Sequence, residues 1–250
     1  MLDASSIALV LSIYRSERTC LLDLLAGLEP EDWARSTECP AYTVKGIATH
    51  ILGDDLSLLS RQRDNAVPGL VLLADEMPTA DFRALLDAFN DRWVAAARFL
   101  GTRLLIELLG LCGEWTALYY EHVDPEMLGE PVGLFGAAPD DNSPFWQAIA
   151  REYLERWIHH SQIRRALGLP SLSERQFLDP GVEVCAAIAG MEVSRPSDPD
   201  GAWSIGPLIL GPAQQTADIL TRAHKAEVVG QLVEGPRDVV GLFAAAAGKP

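Results

Sequence analysis

Two side chains of the types that bind divalent metals lie four residues apart in the stretch from Glu152 to Arg165. This stretch lacks glycine and proline and is rich in long, unbranched side chains, so it predicts a helix. Residues four apart share one face of a helix, and the carboxylate of Glu155 and the imidazole of His159 should therefore point toward one place. Both groups are common zinc ligands, so the pair could supply two ligands of a metal site.

A third ligand has to come from elsewhere in the chain, and His50 is the leading candidate. It lies on an apolar stripe of a second predicted helix, with Asp54 one turn later. Asp54 could hold the His50 imidazole in the right tautomer or replace another ligand, and Glu152 is the second substitute. Two simpler interpretations stay open: the Glu–His pair as an ordinary surface pair, and His50 as a hydrogen-bonded core residue.

Further polar side chains around this stretch have weaker assignments. Gln162 and Arg164 could orient the metal ligands or bind a cofactor or substrate carboxylate, with plain pairing on the helix surface as the alternative. His160 is turned away from the predicted metal, and we expect it to be partly exposed or interfacial. Arg222 and Arg237 are candidate cations for the carboxylate of a bound small molecule.

The composition excludes several classes of function. The chain has 250 residues, of which 48% are hydrophobic and 22% charged, and a formal net charge of −15. Such an acidic chain is not expected to bind nucleic acid or anionic membranes. No apolar run is long enough to predict a transmembrane helix, and the N-terminus lacks a basic signal-peptide region. The four cysteines are widely spaced, as expected for reduced thiols of a cytoplasmic protein.

Apolar residues at helical spacing predict a bundle of helices before residue 170. Thr43 should be the N-cap of the second helix, and Ser143 that of the last, with Pro144 at its first position. Gly101 should interrupt the third. The first helix should place Glu17 and Arg18 on its outer face, together with Arg15 and Asp23. The predicted helices are Ser5 to Leu25, Val44 to Arg63, Thr79 to Leu100, Arg103 to Glu121 and Pro144 to Leu167.

The segments outside these helices have less regular patterns. Residues 65–78 are predicted to be a loop, and residues 124–143 a long loop that could form a wall over the site. After Pro170 we expect a small α+β region. Its predicted elements are a helix from Asp179-Pro180 to Met191, strand-like stretches, and a helix from Arg237 to Ala247. The strand-like stretches lie in Ala202 to Leu210 and in parts of Ala217 to Val233, and they include Trp203 to Ile205 and Val228-Val229.

Two blocks of residues together resemble a known family. Trp33, the run Thr37-x-Cys39-Pro40-x-Tyr42-Thr43-Val44 and the run His50-Ile51-Leu52-Gly53 resemble the start of the DinB-like, mycothiol-dependent maleylpyruvate isomerase N-terminal domain. The run from Glu155 to His159, followed by Gln162-Ile163-Arg164, resembles its second metal-binding block. The resemblance covers roughly residues 1–170, and residues 171–250 resemble the family's C-terminal domain only vaguely.

The resemblance implies a fold and a metal site. The fold is a mainly α, DinB-like four-helix bundle in residues 1–170, followed by a small α+β domain in residues 171–250. The site is a divalent metal, usually zinc, bound by His50, Glu155 and His159. We expect these side chains to converge in a pocket open to solvent, with ligand distances of about 2.0–2.2 Å if a metal is bound.

The resemblance also implies chemistry. Characterised members use a low-molecular-weight thiol such as mycothiol in isomerase or S-transferase reactions, and the metal would stabilise the thiolate for attack on a small electrophile. The expected partners are therefore a small-molecule substrate and the thiol, with a homodimer left open. The alternatives are a non-catalytic metal- or ligand-binding protein with a role in stress response or partner binding, and a bundle that serves only dimerisation.

Overall fold

Helices dominate the part of the chain that the structure, a computed structural model, describes: residues 7–129, 144–198, 200–224 and 226–236. Three short strands form one antiparallel sheet in the order β1-β2-β3. None of the helices in these described ranges is both long and apolar enough to cross a bilayer. The helices are α1 (Ile7–Ala26), α2 (Val44–Leu58), α3 (Gly69–Glu76), α4 (Phe82–Ala97), α5 (Thr102–His122), α6 (Phe145–Ala166), α7 (Arg175–Ala189), α8 (Ala213–Leu220) and α9 (Ala226–Leu232), and the strands are β1 (Val193–Ser194), β2 (Trp203–Ile205) and β3 (Leu208–Gly211).

The chain divides into two compact units, and neither is one continuous segment. The α2 unit consists of Arg18–Ser36 and Pro40–Val123. The α6 unit consists of Met1–Glu17, Thr37–Cys39 and Asp124–Pro250. Since α6 and the helices that follow it lie in the same unit, this division does not fall at residue 170. The predicted domains, 1–170 and 171–250, stay a prediction.

In the α2 unit, α2 is the central helix and packs against α4 and α5. It begins after Thr43, whose hydroxyl accepts a hydrogen bond from the Gly46 N–H at 3.2 Å, so the predicted N-cap is confirmed. Its apolar face is buried, and Gly53 lets the ring of Trp93 from α4 approach closely. A Cβ atom on Gly53 would lie only 2.3 Å from that ring. The Trp93 indole N–H donates to the Thr49 carbonyl at 2.7 Å.

Residues 65–78 are not the predicted loop, because Gly69–Glu76 forms α3. This helix packs against α4. Gly69 provides the room, since a Cβ atom there would lie 2.3 Å from the Phe89 ring. The helix has eight residues, and so short a helix depends on tertiary packing for its stability. Its sequence pattern alone was therefore too weak to predict it.

Two charged residues that were predicted on the outer face of α1 are buried. Glu17 has none of its surface exposed and Arg18 only 6%. Each has a partner within its own unit: Glu17 contacts His160 at 2.8 Å in the α6 unit, and Arg18 donates to Asp55 at 2.8 Å in the α2 unit. Arg18 also donates to the carbonyl of Leu109 at 2.6 Å. Burial of a charge is tolerated where such partners compensate it, which hydrophobic periodicity does not reveal.

In the α6 unit, α6 begins at Phe145 with Pro144 as its N-cap residue, one position later than predicted. The predicted cap, Ser143, lies outside the described residues. The C-terminal end matches the prediction, since Leu167 is the C-cap and Gly168 adopts a left-handed φ of 78°. Most of α6 between these ends is buried, as expected of a helix packed inside a bundle.

α7 begins at Arg175, four residues before the predicted start, and contains Pro180 as its sixth residue. Pro180 lies beyond the first turn, so it removes the intrahelical bond that an N–H at this position would donate to the Gln176 carbonyl. Packing against α6 compensates for that loss. Gly181 permits the close approach, since a Cβ atom there would lie 2.6 Å from the Trp157 ring.

The sheet lies in the tail, where part of it was predicted. β2 covers the predicted stretch from Trp203 to Ile205 and pairs antiparallel with β1 and β3. The other predicted strand was wrong, because Val228 and Val229 lie in α9. The β-branched side chains there follow the helix that tertiary context selects. Most of the predicted long loop, residues 130–143, and the predicted helix from residue 237 lie outside the described ranges.

Candidate metal centre

The geometry of His159 suits a metal ligand. Its side chain is buried on α6, with 3% of the residue exposed. Its Nδ1 lies 2.9 Å from the amide oxygen of Gln162, one turn further along the helix. An amide oxygen can only accept, so this contact assigns the ring proton to Nδ1 and leaves the lone pair on Nε2. A partner of this kind is what fixes the tautomer of metal-binding histidines.

Glu155 lies on the same face of α6 as His159, as the four-residue spacing predicted. Its Oε2 is 3.9 Å from His159 Nε2. Its other oxygen, Oε1, accepts a hydrogen bond at 3.2 Å from the guanidinium of Arg222, which follows α8. The two carboxylate oxygens thus have different neighbours: one faces Nε2 of the histidine, and the other faces a buried arginine.

Burial lowers the pKa of His159 below that of an ordinary histidine. The loss of hydration is the largest cause, and the negative charge of Glu155 and the hydrogen bond with Gln162 oppose it only in part. The imidazole is therefore neutral at pH 7, and the neutral form is the one that can donate its lone pair to a metal.

His50 is held on α2 by two neighbours within the α2 unit. The ring of Tyr42 stacks on it, with the centroids 5.8 Å apart and the planes at 28°. Its Nε2 lies 3.4 Å from a carboxylate oxygen of Asp54, one turn further along the helix. Tyr42 is itself fixed, because its hydroxyl donates to Asp91 at 2.9 Å. Only 5% of His50 is exposed.

The donor types in each unit fit a divalent metal of the zinc class. The α6 unit offers the neutral Nε2 of His159 and the Oε2 of Glu155. The α2 unit offers an imidazole, His50, with the carboxylate of Asp54 beside it. Imidazole nitrogen and carboxylate oxygen are the two non-sulfur ligand types that zinc prefers, and the contact from Gln162 completes the hydrogen bonding that a ligating His159 would need.

A comparison with protein families finds one match. The sequence model of the mycothiol maleylpyruvate isomerase N-terminal domain matches residues 14–164, which is more than half of the chain. The chain belongs to this family. The suspected resemblance is thereby confirmed, and so is a mainly α fold of the DinB-like class. Neither a comparison with curated proteins nor one with solved structures finds a match.

The family domain includes both motif blocks, and the structure gives physical roles to residues of the first block. Tyr42 packs on His50, and Thr43 caps the helix that carries it. In the α6 unit, the Thr37 hydroxyl accepts a hydrogen bond from the backbone N–H of Cys39 at 3.2 Å. Cys39 is 2% exposed, so it is a small buried residue.

The other predicted site residues of the family domain lie at different places. Gln162 is buried and contacts His159, whereas Arg164 donates to the Pro170 carbonyl at 2.8 Å beyond the end of α6. Their assignment as cofactor-binding residues stays a prediction. Glu152, a substitute ligand, is 8% exposed and accepts a hydrogen bond from Arg151 at 2.8 Å.

The predicted partial exposure of His160 was wrong. The residue is completely buried, and its Nδ1 lies 2.8 Å from Glu17 of α1. One turn earlier on α6, Arg156 donates to the Tyr14 hydroxyl at 2.5 Å and lies over its ring at 4.4 Å. Tyr14 and Glu17 are three residues apart on α1, so one polar face of α1 meets one polar face of α6. The polar residues of the two helices have similar spacing, and comparing the helices with each other could have indicated this contact.

Two arginines near the site lie outside the matched segment of the family domain. Arg222 contacts Glu155, as described above. Arg165, the last but one residue of α6, was not singled out from the sequence. It forms a two-pronged ion pair with Glu38 and donates to the Thr221 hydroxyl at 2.7 Å and to the Thr221 carbonyl at 2.9 Å. Its partners are far away in sequence, so spacing could not indicate them.

Proposed function

We propose that this protein binds a divalent metal, most simply zinc, through His50, Glu155 and His159. We further propose that it uses a low-molecular-weight thiol of the mycothiol type in isomerase or S-transferase chemistry on a small electrophile. The observation that carries the proposal is the arrangement at His159: Gln162 holds the proton of Nδ1, and the lone pair of Nε2 is on the side of Glu155.

Three protein ligands leave one coordination position open, which is the usual pattern of a catalytic zinc site. When bound, zinc lowers the pKa of a thiol that coordinates it, so that the thiolate is present at neutral pH. The residues of the chain have separate tasks around it. Gln162 keeps His159 in the ligating tautomer, Tyr42 keeps the ring of His50 in place, and Asp54 can orient His50 or replace a ligand.

An external thiol is supported by the state of the protein's own cysteines. Cys39, Cys112 and Cys185 are each at most 2% exposed. Burial raises the pKa of the Cys112 thiol and raises that of Cys185 to about 12. Thiols in this state are poor nucleophiles at neutral pH. The cytosol, where such thiols stay reduced, is the setting that we propose, and a homodimer remains part of the same proposal.

One observation favours the alternative of a non-catalytic binding protein. The guanidinium of Arg222 already supplies a positive charge to Glu155, at 3.2 Å. A carboxylate neutralised in this way attracts a second cation less strongly than a free one. In that alternative the protein would bind a metal or another ligand weakly and would show no turnover.

The metal is tested by zinc titration against a chelating competitor, with elemental analysis of the purified full-length protein. Alanine at His159 or His50, and glutamine at Glu155, should each weaken zinc binding at least about tenfold. His122→Ala is the matched control, because His122 is an exposed histidine at the end of α5. Equal zinc affinity of the parent and His159→Ala would refute the proposed site. Loss of zinc binding in Asp54→Asn but not in Glu155→Gln would show that Asp54, and not Glu155, is the carboxylate ligand.

The chemistry is tested by a thiol-conjugation and isomerisation screen with small conjugated electrophiles. The zinc-loaded protein should turn over substrate only when mycothiol or a related thiol is present, and chelation should abolish the activity. Tight zinc binding without thiol-dependent turnover across the screen would favour the non-catalytic alternative. The same screen with His122→Ala should give the parent rate.

A further inference from the structure

The turn that ends α8 has an arginine at a position where glycine is usual. Arg222 has a left-handed φ of 64°. The Ala223 N–H donates to the Asp218 carbonyl at 2.9 Å, and the Arg222 N–H donates to the Ile219 carbonyl at 3.3 Å. This pair of bonds defines a Schellman motif, and the arginine occupies its left-handed residue. A side chain with a Cβ atom adopts this conformation at an energetic cost.

The same unit uses glycine at the corresponding place in two other helices. Gly168 after α6 has a φ of 78°, and Gly190 after α7 has a φ of 65°. Apart from glycines, only Asn65 shares a positive φ with Arg222 in the described part of the chain, and asparagine tolerates that conformation well. The arginine at residue 222 is therefore an exception that needs a compensating contact.

The compensating contact of the Arg222 side chain is with the candidate metal ligand. The side chain is 9% exposed, and its guanidinium reaches Glu155 Oε1 at 3.2 Å. With Oε1 held in this way, the other oxygen of Glu155 stays on the side of His159. A glycine at residue 222 would suit the turn and would lose this contact.

The backbone just before Arg222 is held by Arg165. The guanidinium of Arg165 donates to both the hydroxyl and the carbonyl of Thr221, and it is fixed on its other side by Glu38. It also donates to the hydroxyl of Ser171 at 2.5 Å. Thr221 is completely buried, so its carbonyl needs a partner inside the protein. The clamp thus acts on the residue that precedes the left-handed turn.

We propose that Arg165 is a positioning residue: it clamps Thr221 so that Arg222 stays left-handed and keeps its guanidinium on Glu155. The inference rests on the proposed function only in taking Glu155 as a metal ligand. The clamp fixes the turn, the turn fixes Arg222, and Arg222 fixes the rotamer of Glu155. Residues after the family domain thereby orient a ligand inside it.

The clamp is tested without metal by hydrogen exchange of the Ala223 amide, followed by NMR on the full-length protein. Arg165→Met should accelerate this exchange by about tenfold in the parent, as expected if support for a strained turn is lost. In an Arg222→Gly background the same change should have a much smaller effect, because glycine needs no support in this conformation. Equal acceleration in the two backgrounds would show that Arg165 is only a general tether and would overturn the proposal.

Two further variants keep this test decisive. Arg165→Lys preserves a positive charge near Glu38, but its ammonium group cannot donate to both oxygens of Thr221 as the planar guanidinium does. It should therefore accelerate the exchange of Ala223 as well, and it replaces Arg165→Met in the test if Arg165→Met does not fold. Arg195→Met is the matched control, because Arg195 is an exposed tail arginine whose ion-pair partner is Glu183 of α7. It should leave the exchange of Ala223 unchanged.

The link to Glu155 is tested by zinc titration of the same variants. Arg165→Met, which keeps the charge of Arg222, should weaken zinc binding about tenfold because the orientation of Glu155 is lost. In an Arg222→Gln background the same change should have little further effect, because both residues act on one ligand. Unchanged zinc affinity in Arg165→Met, with faster exchange at Ala223, would overturn the link. If the parent binds no zinc, the proposed function fails, while the exchange measurement still accepts or rejects the clamp.

Discussion

Replacing Arg18 by methionine should destabilise the α2 unit by about 3–5 kcal/mol, the usual cost of breaking a buried ion pair from one side. Arg18 donates to Asp55 Oδ2 at 2.8 Å and to the Leu109 carbonyl at 2.6 Å. The side chains are 7% and 0% exposed. Gly113 makes room for the guanidinium, since a Cβ atom there would lie 2.8 Å from Arg18 Nη1. Methionine fills a similar volume without the charge.

The magnitude follows from the geometry. Two unit charges 2.8 Å apart attract each other by about 6 kcal/mol at an effective dielectric constant of about 20. Loss of the bond to the Leu109 carbonyl adds about 1–3 kcal/mol. Part of this total is offset, because methionine avoids the desolvation of the guanidinium and Asp55 can become protonated. A net loss of about 3–5 kcal/mol is therefore expected.

The assay is urea unfolding of the full-length protein, followed by circular dichroism. Arg103→Met is the control, because Arg103 and its partner Glu107 are 93% and 58% exposed, and such a pair contributes less than about 1 kcal/mol. Adding Asp55→Asn to Arg18→Met should recover part of the loss, since it removes the buried charge. The reasoning fails if Arg18→Met costs no more than the control.

Three other predictions follow from buried groups. Gly53→Ala should destabilise the protein by about 1–3 kcal/mol in thermal unfolding, because the new methyl group meets the Trp93 ring. Gly230→Ala in α9 is the control and should not lower the melting temperature, because a Cβ atom there meets nothing within 4 Å. Burial raises the pKa of Cys185 to about 12, so the unfolded state loses the thiol proton at a lower pH than the folded state. The free energy of unfolding should therefore fall between about pH 9 and about pH 12, by up to about 1.4 kcal/mol per pH unit more than in Cys185→Ala. Parallel pH profiles of the two proteins would contradict this. Iodoacetamide at pH 8 should modify Cys20 in the folded protein and reach the three buried cysteines only after denaturation, as mass spectrometry of peptides can show; rapid labelling of Cys185 would contradict its burial.

Long amphipathic helices and their capping residues could be predicted from the sequence. The pattern around α2 worked because Thr43 supplies a local cap and the apolar residues after it repeat at helical spacing. The shared face of Glu155 and His159 followed from spacing alone. The short helices α3 and α9 could not be predicted in this way, because packing rather than propensity decides them, and in α9 the valines point locally to a strand.

Most of the contacts that support the site could not be predicted from the sequence. The partner of His160 is Glu17, and the partners of Arg165 are Glu38 and Thr221, all far away along the chain. A buried charge looks like a surface charge in a hydrophobicity pattern until its partner is known. The local contact from Gln162 to His159, one turn apart, was within reach because helix geometry determines it.

The discontinuous α6 unit has a consequence for synthesis on the ribosome. The α2 unit ends at Val123, so all of its residues are synthesised before residues 124–250. The α6 unit has to wait for α6 to emerge before residues 7–17 of α1 and the segment Thr37–Cys39 find their contacts. Tyr14 and Glu17 of α1 therefore cannot form their contacts with Arg156 and His160 until α6 has been made.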